Sequence, residues 1–114
     1  PVDVKISLEN LKVNKEVCKM GDEIEFSFEL ISKAGEEQNL MVDFIVHYMK
    51  ANGKTAPKVF KLSKKKLPAK EKFNFKKKLS FKAISTRKYY EGLHEIEIQV
   101  NGKKYSKLNF QLKK

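Results

Sequence analysis

Apolar and polar residues alternate along most of this chain with a period of two, the pattern of strands that bury one face. The clearest case is Ile24, Phe26, Phe28 and Leu30, which interleave with Glu23, Glu25, Ser27 and Glu29. That spacing predicts a strand with a buried face and an acidic outer one. Val2, Val4, Ile6 and Leu8 open the chain in the same way, and Leu11 and Val13 continue that sheet edge. From Leu40 to Met49 most positions are apolar: Val42, Phe44, Val46 and Tyr48 share one face, and Met41, Asp43, Ile45, His47 and Met49 the other, which reads as a central strand. Phe60 and Leu62 follow after a glycine-bearing loop, Lys50 to Thr55. Phe73, Phe75, Leu79 and Phe81 then oppose Lys72, Lys76, Lys78 and Lys82, with Lys77 breaking the alternation as a candidate bulge. Ile96, Ile98 and Val100 alternate with Glu95, Glu97 and Gln99, and the last strand carries Tyr105, Leu108, Phe110 and Leu112.

Turn chemistry separates these runs at Lys19–Asp22, at SKAGEE, at LPAKEK and at Asn101-Gly102, a pair suited to the positive φ angles of a type I′ hairpin. Strands at such intervals predict an all-β fold, an immunoglobulin-like antiparallel β-sandwich of about seven strands. A small β-barrel is the alternative that the pattern leaves open. At 114 residues the chain suits a single domain, residues 1–114. The lone Cys18 excludes an internal disulfide and points to a reducing, cytoplasmic setting, with the thiol read as an inert small hydrophobe. No apolar run reaches the ~18 residues of a membrane-spanning helix, and the N-terminal stretch lacks the pattern of a signal peptide. No membrane partner is expected. Because the chain opens on Pro1, it is expected to be a piece of a longer polypeptide.

Charge changes the picture. The net charge is +11, and between Lys58 and Lys88 there are thirteen basic residues against one acid, Glu71, whereas the remainder holds twelve basic and thirteen acidic residues. A field of one sign concentrates a polyanion, and nucleic acid is the commonest one. All the basic residues but Arg87 are lysine, a hydrated point charge that meets phosphate and does not read base edges, so backbone recognition is the expected mode. The competing reading is that these lysines are the solvated faces of exposed strands.

Catalytic machinery is not evident. His47 and His94 are the only histidines, and the one nearby metal-type ligand is Asp43, which shares a strand face with His47. A structural role is the favoured reading of both, no metal or cofactor is expected, and no phosphate-binding GxxxxGK[ST] pattern occurs. Two segments nevertheless look like more than connection. HYMKANGKTAPKVFK (His47 to Lys61) combines basic residues, an amide, a hydroxyl and a glycine in one loop, and ISTRKYYEG (Ile84 to Gly92) sets two hydroxyls, Arg87, Lys88 and two tyrosines before the penultimate strand. One tyrosine, Tyr89 or Tyr90, has the place of a sandwich tyrosine corner, leaving the other to project.

VDFIVHYMKANGKTAPKVFKL and FKAISTRKYYEGLHEIEIQVNG together resemble the C-terminal domain of AlkC-type bacterial DNA alkylation repair proteins, and strand-level agreement extends the resemblance over most of the chain. The resemblance implies an immunoglobulin-like domain following an N-terminal helical-repeat domain in a parent DNA glycosylase that excises positively charged alkylated purines. The catalytic acid would lie in that repeat domain, so this domain would be no enzyme. Its implied role is to grip duplex DNA by the backbone through Lys50, Asn52, Lys54, Thr55 and Lys58 of the first segment and Ser85, Thr86, Arg87 and Lys88 of the second. Lys64–Lys66 and Lys76–Lys78 depart from the family pattern and count as background charge. The alternative is an interaction or carbohydrate-binding domain of an envelope or secreted protein, which would expose an aromatic platform.

Overall fold

The computed structural model describes residues 3–114, so the position of Val2 in the opening alternation lies outside it. Eight strands form: β1 (Ile6–Val13), β2 (Val17–Lys19), β3 (Glu23–Ser32), β4 (Gln38–Met49), β5 (Thr55–Leu67), β6 (Lys72–Ser80), β7 (Gly92–Val100) and β8 (Lys103–Lys113). They make two sheets, β1-β3-β6 and β2-β8-β7-β4-β5, which settles the choice between sandwich and barrel. The additional strand is β2, three residues inside a stretch whose composition reads as a turn; it pairs parallel to β8 through Cys18 and Leu112, whereas every other pairing is antiparallel.

The alternation positions the core. Ile24, Phe26, Phe28 and Leu30 of β3 meet Val42, Phe44, Val46 and Tyr48 of β4, and Ile96, Ile98, Val100, Phe110 and Leu112 complete the cluster from β7 and β8. Each such side chain contributes about 1.5–3 kcal/mol by leaving water. Cys18 is fully buried in this core, and burial pushes its thiol pKa up, against a smaller opposing pull from Lys15. It is a packed hydrophobe and a poor nucleophile. The Asn101-Gly102 turn forms as its residues dictate, with φ of 48° and 82°, and the Asn101 side chain ties it to β4 by accepting from the Met41 N–H and donating to the Asn39 carbonyl.

Two sequence expectations are corrected. Lys77 marks no bulge: β3 and β6 pair without a register shift, and Lys77 stands opposite Phe26 at an inward position of an edge strand. The bulge-like irregularity of this part of the chain lies instead in β5, opposite Val42 and Asp43. The segment from His47 to Lys61 is not one loop, because β4 runs to Met49 and β5 begins at Thr55, leaving a tight connection over Lys50–Lys54. In that connection the Gly53 N–H donates to the Lys50 carbonyl, the Lys50 N–H to the Lys54 carbonyl, and Gly53 takes φ +79°.

Candidate nucleic-acid interface

The Lys50–Lys54 connection and the Ile84–Tyr90 segment come together at one end of the sandwich, where Lys50, Asn52, Thr86, Arg87 and Lys88 line a shared hollow with Ala51 and Tyr90. Ser85 lines an adjoining hollow with Thr86, Arg87 and Lys88, bounded by Met20 and Gly21. Lys54 is exposed in the turn, its N–H held by the Asn52 side chain at 3.0 Å. Thr55 and Lys58 belong to β5, where Lys58 pairs with Val46 along the sheet edge and lines neither hollow. The structure thus gathers six of the nine sequence-predicted residues around two adjoining hollows, keeps Lys54 and Thr55 near the hairpin tip, and separates Lys58.

An aromatic cluster supports this end from inside. Tyr48, Phe81, Tyr89, His94 and Phe110 pack ring to ring, with centroid separations such as 5.0 Å for Phe81–Tyr89 and 5.7 Å for Phe81–Phe110. Tyr89 takes the corner position, its hydroxyl 3.5 Å from the Ser80 carbonyl, and Tyr90 lines the hollow with Lys88 over its ring at 5.5 Å. On the Tyr48 ring rest two cations: the Arg87 guanidinium at 4.5 Å from the centroid and the Lys50 ammonium at 5.8 Å. Such contacts are worth about 0.5–2 kcal/mol and hold a long side chain in one orientation. Burial pushes the Tyr48 hydroxyl up to about 12, the Arg87 charge pulling the other way, so the ring stays neutral beneath its cations. Sequence reasoning missed Tyr48 as a support because its inward position in β4 reads only as core; Arg87 reaches it from a different part of the chain.

Gly92, at the start of β7, has φ +136°, and a Cβ there would stand 3.0 Å from two atoms of Met49. The positive φ favours glycine there, and a side chain would also press on that of Met49 at the end of β4. His94 is buried: its Nδ1 lies 3.1 Å from the Gly92 carbonyl, and the Met49 N–H donates to Nε2 at 3.4 Å. That pairing fixes the neutral Nδ1-protonated tautomer, and burial lowers its pKa. His47 does not join Asp43, whose carboxylate accepts instead from Gln99; its neighbours are Glu95 and Glu97 of β7. Among the described residues, the exposed large apolar side chains are Val17, Met41, Val59, Ile84 and Leu93, none of them aromatic, while Phe60, Phe73, Tyr90 and Tyr105 are half-buried.

Two sheets in this order, with loops presented at one end, define an immunoglobulin-like sandwich domain. Within that class, a family model for the C-terminal Ig-like domain of the uncharacterised protein YhaZ matches residues 7–114, and the chain belongs to this family. It is 30% identical over 107 residues to the YhaZ protein of Bacillus subtilis (strain 168), a match that covers 94% of this chain and 29% of that protein. It is also similar to the alkylpurine DNA glycosylase AlkC of Pseudomonas fluorescens, solved bound to DNA containing an abasic site analog, with 32% identity and a TM-score of 0.96 over 99% of this chain and 32% of the glycosylase. A β-glucosidase from Listeria innocua matches at a TM-score of 0.74 and 9% identity over 98% of this chain and 16% of the enzyme, and shares the fold alone. The chain therefore spans less than a third of the YhaZ protein, at 29%, and 32% of the glycosylase.

Proposed function

We propose that this is a non-catalytic DNA-binding domain of a DNA alkylation repair glycosylase, gripping the duplex backbone through its basic end. The observation that carries the reading is the convergence of Lys50, Asn52, Thr86, Arg87 and Lys88 on one hollow, with Arg87 stacked on Tyr48. Charged and hydrogen-bonding side chains on loops held by a rigid scaffold are what phosphate contact requires. The similarity to a glycosylase solved on DNA supports the partner. Lys54 and Thr55 extend the grip from the hairpin tip, Ser85 from the adjoining hollow, and Lys58 from the β5 edge. Glycosidic bond cleavage belongs to an N-terminal helical-repeat domain of the same parent chain, and the setting is the reducing cytoplasm.

The test is fluorescence anisotropy with duplex DNA over a salt series. An Arg87→Ala/Lys50→Ala/Lys88→Ala variant is compared with a Lys64→Gln/Lys66→Gln/Lys76→Gln variant, which removes as many charges from the strands. Abolishing the neutralisation of one phosphate lowers the slope of log affinity against log salt by about 0.9. A shallower slope and weaker binding in the loop variant alone support the grip; equal losses in both would reduce it to nonspecific polycation binding.

A further inference from the structure

His47, Glu95 and Glu97 occupy the outer face of the five-stranded sheet, on strands β4 and β7. Register puts His47 directly opposite Glu95, and the period of two puts Glu97 on the same face one step along β7. Both carboxylates turn toward one imidazole nitrogen: His47 Nε2 is 3.1 Å from Glu97 Oε1 and 3.6 Å from Glu95 Oε1. All three are only partly exposed, with side-chain exposures of 21%, 26% and 15% for His47, Glu95 and Glu97. One nitrogen thus faces two carboxylate oxygens, three ligand-type atoms converging on one point.

We infer that these three side chains form a binding site for a zinc-type divalent cation. Bonds of about 2.0–2.1 Å to a tetrahedral ion place its ligand atoms roughly 3.3–3.4 Å apart. The observed 3.1 and 3.6 Å straddle that edge length, and all three ligand atoms lie within 4.8 Å of one another. One imidazole and two carboxylates suit zinc among the common ions, with water as the fourth ligand. The other charged groups facing the trio are Lys107, 3.9 Å from Glu95 Oε2, and Lys104, 4.0 Å from Glu97 Oε1. Lys107 sits on the far oxygen of Glu95 and leaves Oε1 directed at His47, which orients the ligand from behind. Lys104, which faces the proposed ligand oxygen of Glu97, is well exposed at 60% and swings away at little cost.

The test is calorimetric titration of the chelator-treated 114-residue chain with zinc chloride, paired with the visible spectrum of its cobalt form and histidine ring signals by NMR. One equivalent of zinc binds, the His47 ring signals move while those of buried His94 stay, and His47→Gln and Glu97→Gln each weaken binding by about tenfold or more. Glu95→Gln, which keeps the side-chain shape, gives the same loss with an unchanged unfolding transition, which separates ligand removal from damage to the sheet. No saturable uptake would overturn the site, as would uptake that His47→Gln leaves unchanged.

Discussion

Lys77 and Arg87 both lie in the stretch where positive charge is concentrated, yet the fold uses them in different ways. Lys77 occupies an inward position on β6, the unpaired edge of the smaller sheet, and remains exposed at the rim. Its neighbours on the outer face are matched to acids of β3, Lys72 to Glu29 at 3.9 Å and Lys78 to Glu23 at 3.6 Å. On β5, the free edge of the larger sheet, Lys65 lies over the Phe73 ring at 4.5 Å and covers apolar surface with its stem. Charged and inward-pointing lysines on edge strands prevent edge-to-edge pairing between molecules. Arg87, in contrast, has no acidic partner within salt-bridge distance among the described residues; it rests on a buried tyrosine and lines an open hollow. Charge on the flank lies along the sheet edges, while Arg87 at the end is held by an aromatic ring beside an open hollow.

The largest effect that tests this difference is on the support beneath the basic end. Phe81 is buried and touches Tyr48, Tyr89, His94 and Phe110, so Phe81→Ala should lower stability by about 3–5 kcal/mol in denaturant unfolding. A fall of only about 1 kcal/mol, well under the range for a buried phenylalanine, would mean that the aromatic cluster is not what holds the two loops in place.

Next comes the contact between support and cation. Tyr48→Leu removes the ring face under Arg87 and Lys50 and should weaken DNA binding about three- to tenfold, the range set by a cation–π contact. Tyr48→Phe keeps the face and should bind as the parent does. Equal weakening in both variants would assign the effect to the hydroxyl and remove the stacking argument.

His94 gives the comparison a pH dependence. Its folded pKa is lowered by burial from the ordinary 6.5, so below about pH 6.5 the unfolded chain takes up a proton that the folded one resists. Stability conferred by neutral His94 is therefore complete above that pH and is lost as pH falls toward the folded value. Unfolding curves at stepped pH should show this slope in the parent and a flatter one in His94→Gln; parallel slopes would mean that other groups carry the acid sensitivity.

Much of the fold is legible in the sequence because strand alternation and turn chemistry are local. The β3 face, the β7 face and the Asn101-Gly102 hairpin need only neighbouring residues to be recognised. β2 is not legible, since three residues carry no period and its pairing with β8 joins distant parts of the chain. Composition finds the basic loops, but their convergence and the Tyr48 support depend on the packing of β4 against a loop that precedes β7. For the same reason the sequence pairs His47 with Asp43 on its own strand, whereas its partners lie across the sheet.

The smallest effect isolates the flank. Lys77→Val restores the alternation of β6 with an apolar side chain at an inward position opposite Phe26. Because the site is exposed, folding stability should change by no more than about 0.5 kcal/mol. DNA binding should keep its salt slope, since Lys77 lines neither hollow at the basic end. What should change is association: an edge strand without its inward charge is a template for a second copy, so light scattering should detect self-association at concentrations where the parent stays monomeric. A variant that stays monomeric but loses salt slope would instead place Lys77 among the phosphate contacts and erase the division between flank and end.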